Sequence, residues 1–228
     1  MLICHRDNPT ITGIWHQLNR HFELKDLGHV CHYLGIEIER PRHDCFLLHQ
    51  KNKIDALLEK YHLSTAKISF TPMDPDYLKF TGEEDLLPSN DLYRKAVGEL
   101  LYLSTTTRPD IACATGILCR RVSSPRQRDW GAVKKLFRYL MHTRDFKLTL
   151  TGRQSLDLTG YVDADWASNV TDRKSTSGYI ILLGESPVQQ KTVICCSVEH
   201  RSRVHFRGLC FTGSFVAASI VGRFRTSH

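Results

Sequence analysis

The chain has 228 residues, 41% hydrophobic and 24% charged, with a net charge of +7 and an isoelectric point near 9.0. That length and balance suit one large globular domain or two small ones, each with its own core. They exclude a bilayer-spanning helix, because no apolar run approaches about 20 residues. The start, MLICHRDNPT, is charged too early and apolar too briefly for a secretory leader. The expected compartment is therefore cytoplasm or nucleus, with no membrane partner. The basic balance favours a polyanionic partner. The eight cysteines are scattered and none form a C-x-x-C pair, so they read as reduced packing residues rather than disulfides or zinc ligands.

In chain order, Thr10 to Phe22 reads as a helix, with Ile11, Ile14, Trp15 and Leu18 on one stripe and Pro9 suited to the first turn. Val30 to Glu39 and Cys45 to His49 read as a strand pair joined by a loop of about four to five residues around Pro41. Ile36 and Ile38 take one face of the first strand, Glu37 and Glu39 the other. Lys51 to Tyr61 is a second helix, with Ile54, Leu57, Leu58 and Tyr61 at helical spacing. The stretch from Thr71 to Asn90 holds three prolines and an acidic cluster. It is the best candidate for a linker or domain boundary.

Three further helices are expected. Asp91 to Ser104 shows Tyr93, Val97, Leu100 and Leu101 on one face. Asp110 to Val122 follows Pro109. Pro125 to His142 follows Ser124 as a cap, with Trp130, Val133, Phe137 and Leu140 as its buried stripe. Between Arg120 and Arg144 stand eight cationic residues and one acid, Asp129. A solvated helical face accounts for such a run. So does a track for a nucleic-acid backbone, where Lys and Arg gain affinity by releasing condensed counterions. The track would be carried by Arg121, Arg126, Arg128, Lys134, Lys135 and Arg138.

Strands resume at Phe146 to Leu150. The run from Leu156 to Gly184, LDLTGYVDADWASNVTDRKSTSGYIILLG, alternates apolar residues up to two carboxylates, Asp163 and Asp165, then turns into a second β-rich run. A solvated acidic hairpin end has this form. So does the first carboxylate of a metal-dependent nuclease. Val188 to Cys196 reads as one more strand. From His200 onward there are five arginines, no lysine and no acid; Phe211 to Val221 could pack, form a short strand or equally be poorly ordered.

Six blocks in order resemble the Pol polyprotein of copia-type LTR retrotransposons. They are HFELKDLGHVCHYLGIEIER, FLLHQKNKIDALLEKYHL, TPMDP, YRKAVGELLYLSTTTRPDIACATGILCR, SSPRQRDWGAVKKLFRYLMHT and GYVDADWASNVTDRKSTSGYIILLG. The resemblance runs from about Met1 to Glu199. It implies an α+β chain: a helical thumb- and connection-like region of a reverse transcriptase, followed by an incomplete ribonuclease H-like sheet. The implied divisions are 1–85 (end of the palm and thumb-like region), 86–150 (connecting helices), 151–199 (truncated ribonuclease H-like domain) and 200–228 (an unrelated tail).

The departures shape the expected activity. In the family a Tyr-x-Asp-Asp turn precedes a segment like MLIC. Here the chain starts after it, so the resemblance implies that the polymerase carboxylates are absent. Ribonuclease H chemistry uses Asp and Glu to hold two Mg²⁺ ions, one activating water and one stabilising the leaving oxygen. By resemblance Asp163 is the first of these carboxylates and Asp165 lies beside it. Where the family reads Ser-Ser-Thr-Glu-Ala-Glu-Tyr, this chain reads Cys196-Ser197-Val198-Glu199-His200-Arg201-Ser202. Glu199 matches the first Glu, and Arg201 takes the position of the metal-binding second, where a cation repels Mg²⁺. The expected state is an inactive fragment with residual binding to RNA–DNA hybrid or to a DNA or RNA backbone, with other polyprotein segments as possible partners. An active ribonuclease H is the alternative. The loss of resemblance after Glu199 suggests a reading-frame change or a fusion point, which the coding DNA would test.

Overall fold

The computed structural model describes the chain except residues 6, 81, 83–84, 153–156, 166–174, 185, 196–203, 207–208, 212–219 and 225–228. The side chains of 162–177 and of residues beyond 187 also lie outside the description. Helices and antiparallel sheets coexist, so the class is α+β. Helix α1 (Asn8–Asn19) opens the chain, with Asp7 as its N-cap accepting from the Thr10 amide. It buries none of its residues.

Strands β1 (His32–Tyr33), β2 (Ile36–Arg42), β3 (Cys45–His49) and β4 (Leu148–Thr151) form one four-stranded sheet in that order. The β1–β2 turn is Leu34-Gly35, both at positive φ (50° and 73°), the pairing that a two-residue hairpin with native twist requires. The β2–β3 connection is tighter than the predicted four to five residues. β2 runs on to Arg42, which pairs with Cys45, and a register shift lies between Glu39 and Arg42. Pro41 sits at that irregularity, where its missing N–H does not interrupt a ladder bond. On the Glu37 and Glu39 face stands His49, with Nδ1 3.2 Å from Glu37 and Nε2 3.0 Å from Glu39. Lys147 of the segment leading into β4 bonds Glu39 at 2.7 Å. Lys147 first, and His49 second, hold the Glu39 carboxyl below its usual range.

The main core is helical. Helix α2 (Lys51–Lys60), α3 (Asp91–Thr106), α4 (Ala112–Cys119) and α5 (Gln127–His142) contribute to one cluster that includes Ile54, Leu100, Leu118, Leu136 and Phe137. The expected helix over Asp110 to Val122 is shorter. Pro109–Ile111 forms a 3₁₀ turn, and i→i−3 bonds from Arg120 and Arg121 tighten the chain after Cys119. The Tyr93 hydroxyl donates to the Leu118 carbonyl at 2.9 Å, serving one of the carbonyls the helix end leaves open.

α5 begins two residues later than Ser124 and Pro125 suggest, because those residues are drawn into another pairing. The Leu87 amide donates to the Pro125 carbonyl at 2.8 Å, and the Gln127 amide to the Asp85 carbonyl at 3.1 Å. Asp129 takes over the capping role, accepting from the Arg126 amide at 2.7 Å.

The stretch expected as a linker is instead a strap laid along α5. The Ser69 amide donates to the Arg138 carbonyl, Phe70 packs on His142, Asp74 pairs with Lys135, and the Tyr77 hydroxyl donates to Asp129. Tyr77 is 7% exposed and belongs to the same core as α2 and α5, so that core runs across residue 85.

A second four-stranded sheet has the order β10–β5–β6–β7, from β5 (Leu158–Asp165), β6 (Ser175–Leu183), β7 (Ser186–Cys195) and β10 (Ile220–Phe224). β8 (Val204–Phe206) and β9 (Leu209–Phe211) form a separate pair. Ser186 joins the two larger sheets: its hydroxyl accepts from the Thr151 amide at 2.8 Å and donates to the Thr151 carbonyl at 3.3 Å.

Candidate nucleic-acid interface

Around α5 the apolar residues Val133, Leu136, Phe137 and Leu140 turn inward, at most 1% exposed. At 3.6 residues per turn this leaves Gln127, Gly131, Lys134, Arg138 and His142 as one outward stripe. Lys134 is exposed and Arg138 half-buried, and among the described residues neither side chain has a recorded ion pair or hydrogen bond. They are the uncommitted cations of this helix.

Their neighbours differ. Lys135 and Arg128 lie about a quarter turn away, facing the strap. Lys135 pairs with Asp74. The Arg128 guanidinium donates to the Asp76 carbonyl at 3.2 Å and lies 4.7 Å from the Tyr77 ring and 4.2 Å from the Phe80 ring. Such cation–π contacts hold the strap to the helix. Beneath them Asp129, 5% exposed, accepts from the Tyr77 hydroxyl and the Arg126 amide. Burial first, and then this carboxylate, push the Tyr77 hydroxyl well above its usual value.

Arg126 and Arg121 are exposed, Arg126 at the N-cap of α5 and Arg121 in the turn after α4. Of the six cations singled out in the sequence, the outward stripe unites Lys134 and Arg138. Arg128 and Lys135 are occupied by the chain itself. The sequence reading passed over Phe70 and His142, which meet at the C-terminal end of the stripe with ring centroids 4.8 Å apart. The spacing of His142 from Arg138 and Lys134 was a readable signal for the histidine. Phe70 carried none, since its place depends on the strap.

Asp163 and Asp165 fall in the last three residues of β5, in register with Gly178 and Thr176 of β6. Their side chains, and Glu199 and Arg201 entirely, lie outside the described residues.

A mixed α+β chain with a helical core, a basic helix face and an antiparallel hairpin ending in two acids is the class these features define. In sequence it is 37% identical over 188 residues to the retrovirus-related Pol polyprotein from transposon TNT 1-94 of Nicotiana tabacum, covering 79% of this chain and 14% of that protein. It is 34% identical over 210 residues to the retrovirus-related Pol polyprotein from transposon RE2 of Arabidopsis thaliana, covering 89% and 14%. It is 30% identical over 230 residues to an uncharacterized mitochondrial protein of Arabidopsis thaliana, covering 99% of this chain and 93% of that one. The chain belongs to the family of copia-type retrotransposon Pol polyproteins. It spans 14% of the length of the two Pol polyproteins, and its likeness to the mitochondrial protein extends into the tail beyond residue 200. No family model and no solved structure matches it. No helix among the described residues is long and apolar enough to cross a membrane.

Proposed function

We propose that this chain is a reverse transcriptase/ribonuclease H segment of a copia-type Pol polyprotein that binds nucleic-acid backbone without cleaving it. The observation that carries the binding reading is the outward stripe of α5, where exposed Lys134 and half-buried Arg138 stand without an ion pair among the described residues, beside a helix side whose cations the chain itself has satisfied. A phosphate backbone gives such cations a partner that needs no sequence readout. RNA–DNA hybrid is the substrate that the family membership suggests, with other segments of the polyprotein as further partners.

The helices α2 to α5 correspond in this reading to the thumb and connection, and β5–β6 to the opening hairpin of ribonuclease H. Asp163 and Asp165 would hold Mg²⁺, with Glu199 as the further carboxylate. A bound ion would supply the positive charge that activates water and neutralises a leaving oxygen. Arg201, at the position where the family carries its second glutamate, opposes that binding.

Fluorescence anisotropy with a labelled RNA–DNA hybrid tests the binding. Affinity should fall steeply with salt, and the double reversal K134E/R138E should weaken it about tenfold or more, as the loss of two backbone contacts implies. Binding indifferent to salt and to that reversal would reject the reading. Incubation of the same hybrid with Mg²⁺ or Mn²⁺ should leave it intact. Cleavage that D163N abolishes would show an active ribonuclease H instead.

A further inference from the structure

Phe70 is 72% exposed, yet it is held in place. The Ser69 amide before it donates to the Arg138 carbonyl at 3.3 Å, and the Ser69 hydroxyl donates to the Thr71 carbonyl at 2.9 Å. Pro72 then restricts the backbone of Thr71. The ring meets His142 nearly perpendicular, at 76° and 4.8 Å between centroids, and the degree of exposure leaves an open π-face. A single exposed aromatic is ordinary. One fixed at the end of a stripe of uncommitted cations is a different arrangement.

We infer that Phe70 is a stacking position for an unpaired base, so that the outward face of α5 takes single-stranded nucleic acid in preference to duplex. This rests on the backbone-binding reading of the same face. Lys134 and Arg138 attract the phosphates of either form. A duplex keeps the faces of its bases inside its own stack, whereas a single strand can lay one on an aromatic ring. The two strap acids nearest Phe70 in sequence do not oppose the approach as free charges, since Asp74 is paired with Lys135 and Asp76 with Lys79. Phe80, at the other end of the strap, is unsuited to the role. Arg128 covers it, and a Cβ on Gly82 would meet its ring at 2.5 Å.

The test measures anisotropy of a short labelled single-stranded DNA and of its duplex over a series of salt concentrations starting low, using the full chain and its F70A, F70W and K134E/R138E variants. The full chain should bind the single strand more tightly. F70A should lose about tenfold on the single strand, the scale of one base–aromatic stack, with duplex binding and the salt slope unchanged. F70W should restore affinity, and its added indole fluorescence should be quenched on binding. If F70A binds the single strand like the parent while K134E/R138E weakens both forms, the stacking position falls and the backbone reading stands. If the parent shows no salt-dependent binding to either form, both readings fall together.

Discussion

Arg108 is 2% exposed, and its guanidinium ties the 3₁₀ turn before α4 to the C-terminal end of α5. Its Nε and Nη2 grip Asp110 at 2.9 and 2.6 Å, and its Nη1 donates to the Thr143 carbonyl at 3.2 Å, at the C-terminal end of α5. The Tyr139 hydroxyl donates to the same carboxylate at 3.0 Å. Arg108→Ala empties a fully buried position and takes the donor from the Thr143 carbonyl, so it should lower stability by about 2–4 kcal/mol. Arg108→Lys should recover only part, because an ammonium lacks the two-pronged fit. Urea denaturation of both variants checks this. Tyr77 predicts an alkaline limit. Its hydroxyl titrates higher in the fold than the ordinary value of about 10, so its contribution is whole below that pH and is lost as pH rises toward the folded value. Tyr77→Phe should therefore lower the urea midpoint at about pH 8 and flatten its decline toward about pH 11. At this scale the sequence was legible in part. Val133, Phe137 and Leu140 were identified as buried from spacing alone. Lys134 and Lys135 were grouped together, because one residue of spacing says which helix face each takes but not what stands opposite.

Among the elements, α5 was the most readable and the strap the least. Three prolines and an acidic cluster mark irregular backbone, and its described residues are irregular apart from one 3₁₀ turn at Tyr77–Lys79. What holds it is tertiary: Tyr77 on Asp129, and Arg128 between Tyr77 and Phe80. The same contacts explain why Pro125 is not the first residue of α5, since its carbonyl serves Leu87. Gly131 offers a test of the outward stripe as open surface. It lies in the middle of α5, and a Cβ there would meet nothing within 4 Å. Gly131→Ala should raise stability by about 0.5–1 kcal/mol, read as a shift in thermal midpoint. A lower midpoint would mean that the stripe is covered.

Across the whole molecule, stability should be uneven. α1 buries no residue, whereas α3 and α5 each bury six. Amide exchange should be fast through α1 and slow through α3 and α5. Equal protection would show α1 packed on the rest of the chain. Strands β3 to β7 were legible in the sequence, whereas β8 to β10 were not, nor was the order that sets β10 beside β5, because pairing across some 60 residues leaves no local signature. The carboxylate pair of β5 was legible as a motif, and its meaning came from resemblance. The strap gives adjacent residues unequal freedom to change. Lys135 and Arg128 anchor it, so replacing them disturbs the fold. Lys134 and Arg138 hold no ion pair or side-chain hydrogen bond among the described residues, so their loss costs the fold less. In a chain released from selection, the outward stripe should therefore erode before the strap does. Cations retained at 134 and 138 among close relatives, beside otherwise drifting surface positions, would mark binding that is still in use.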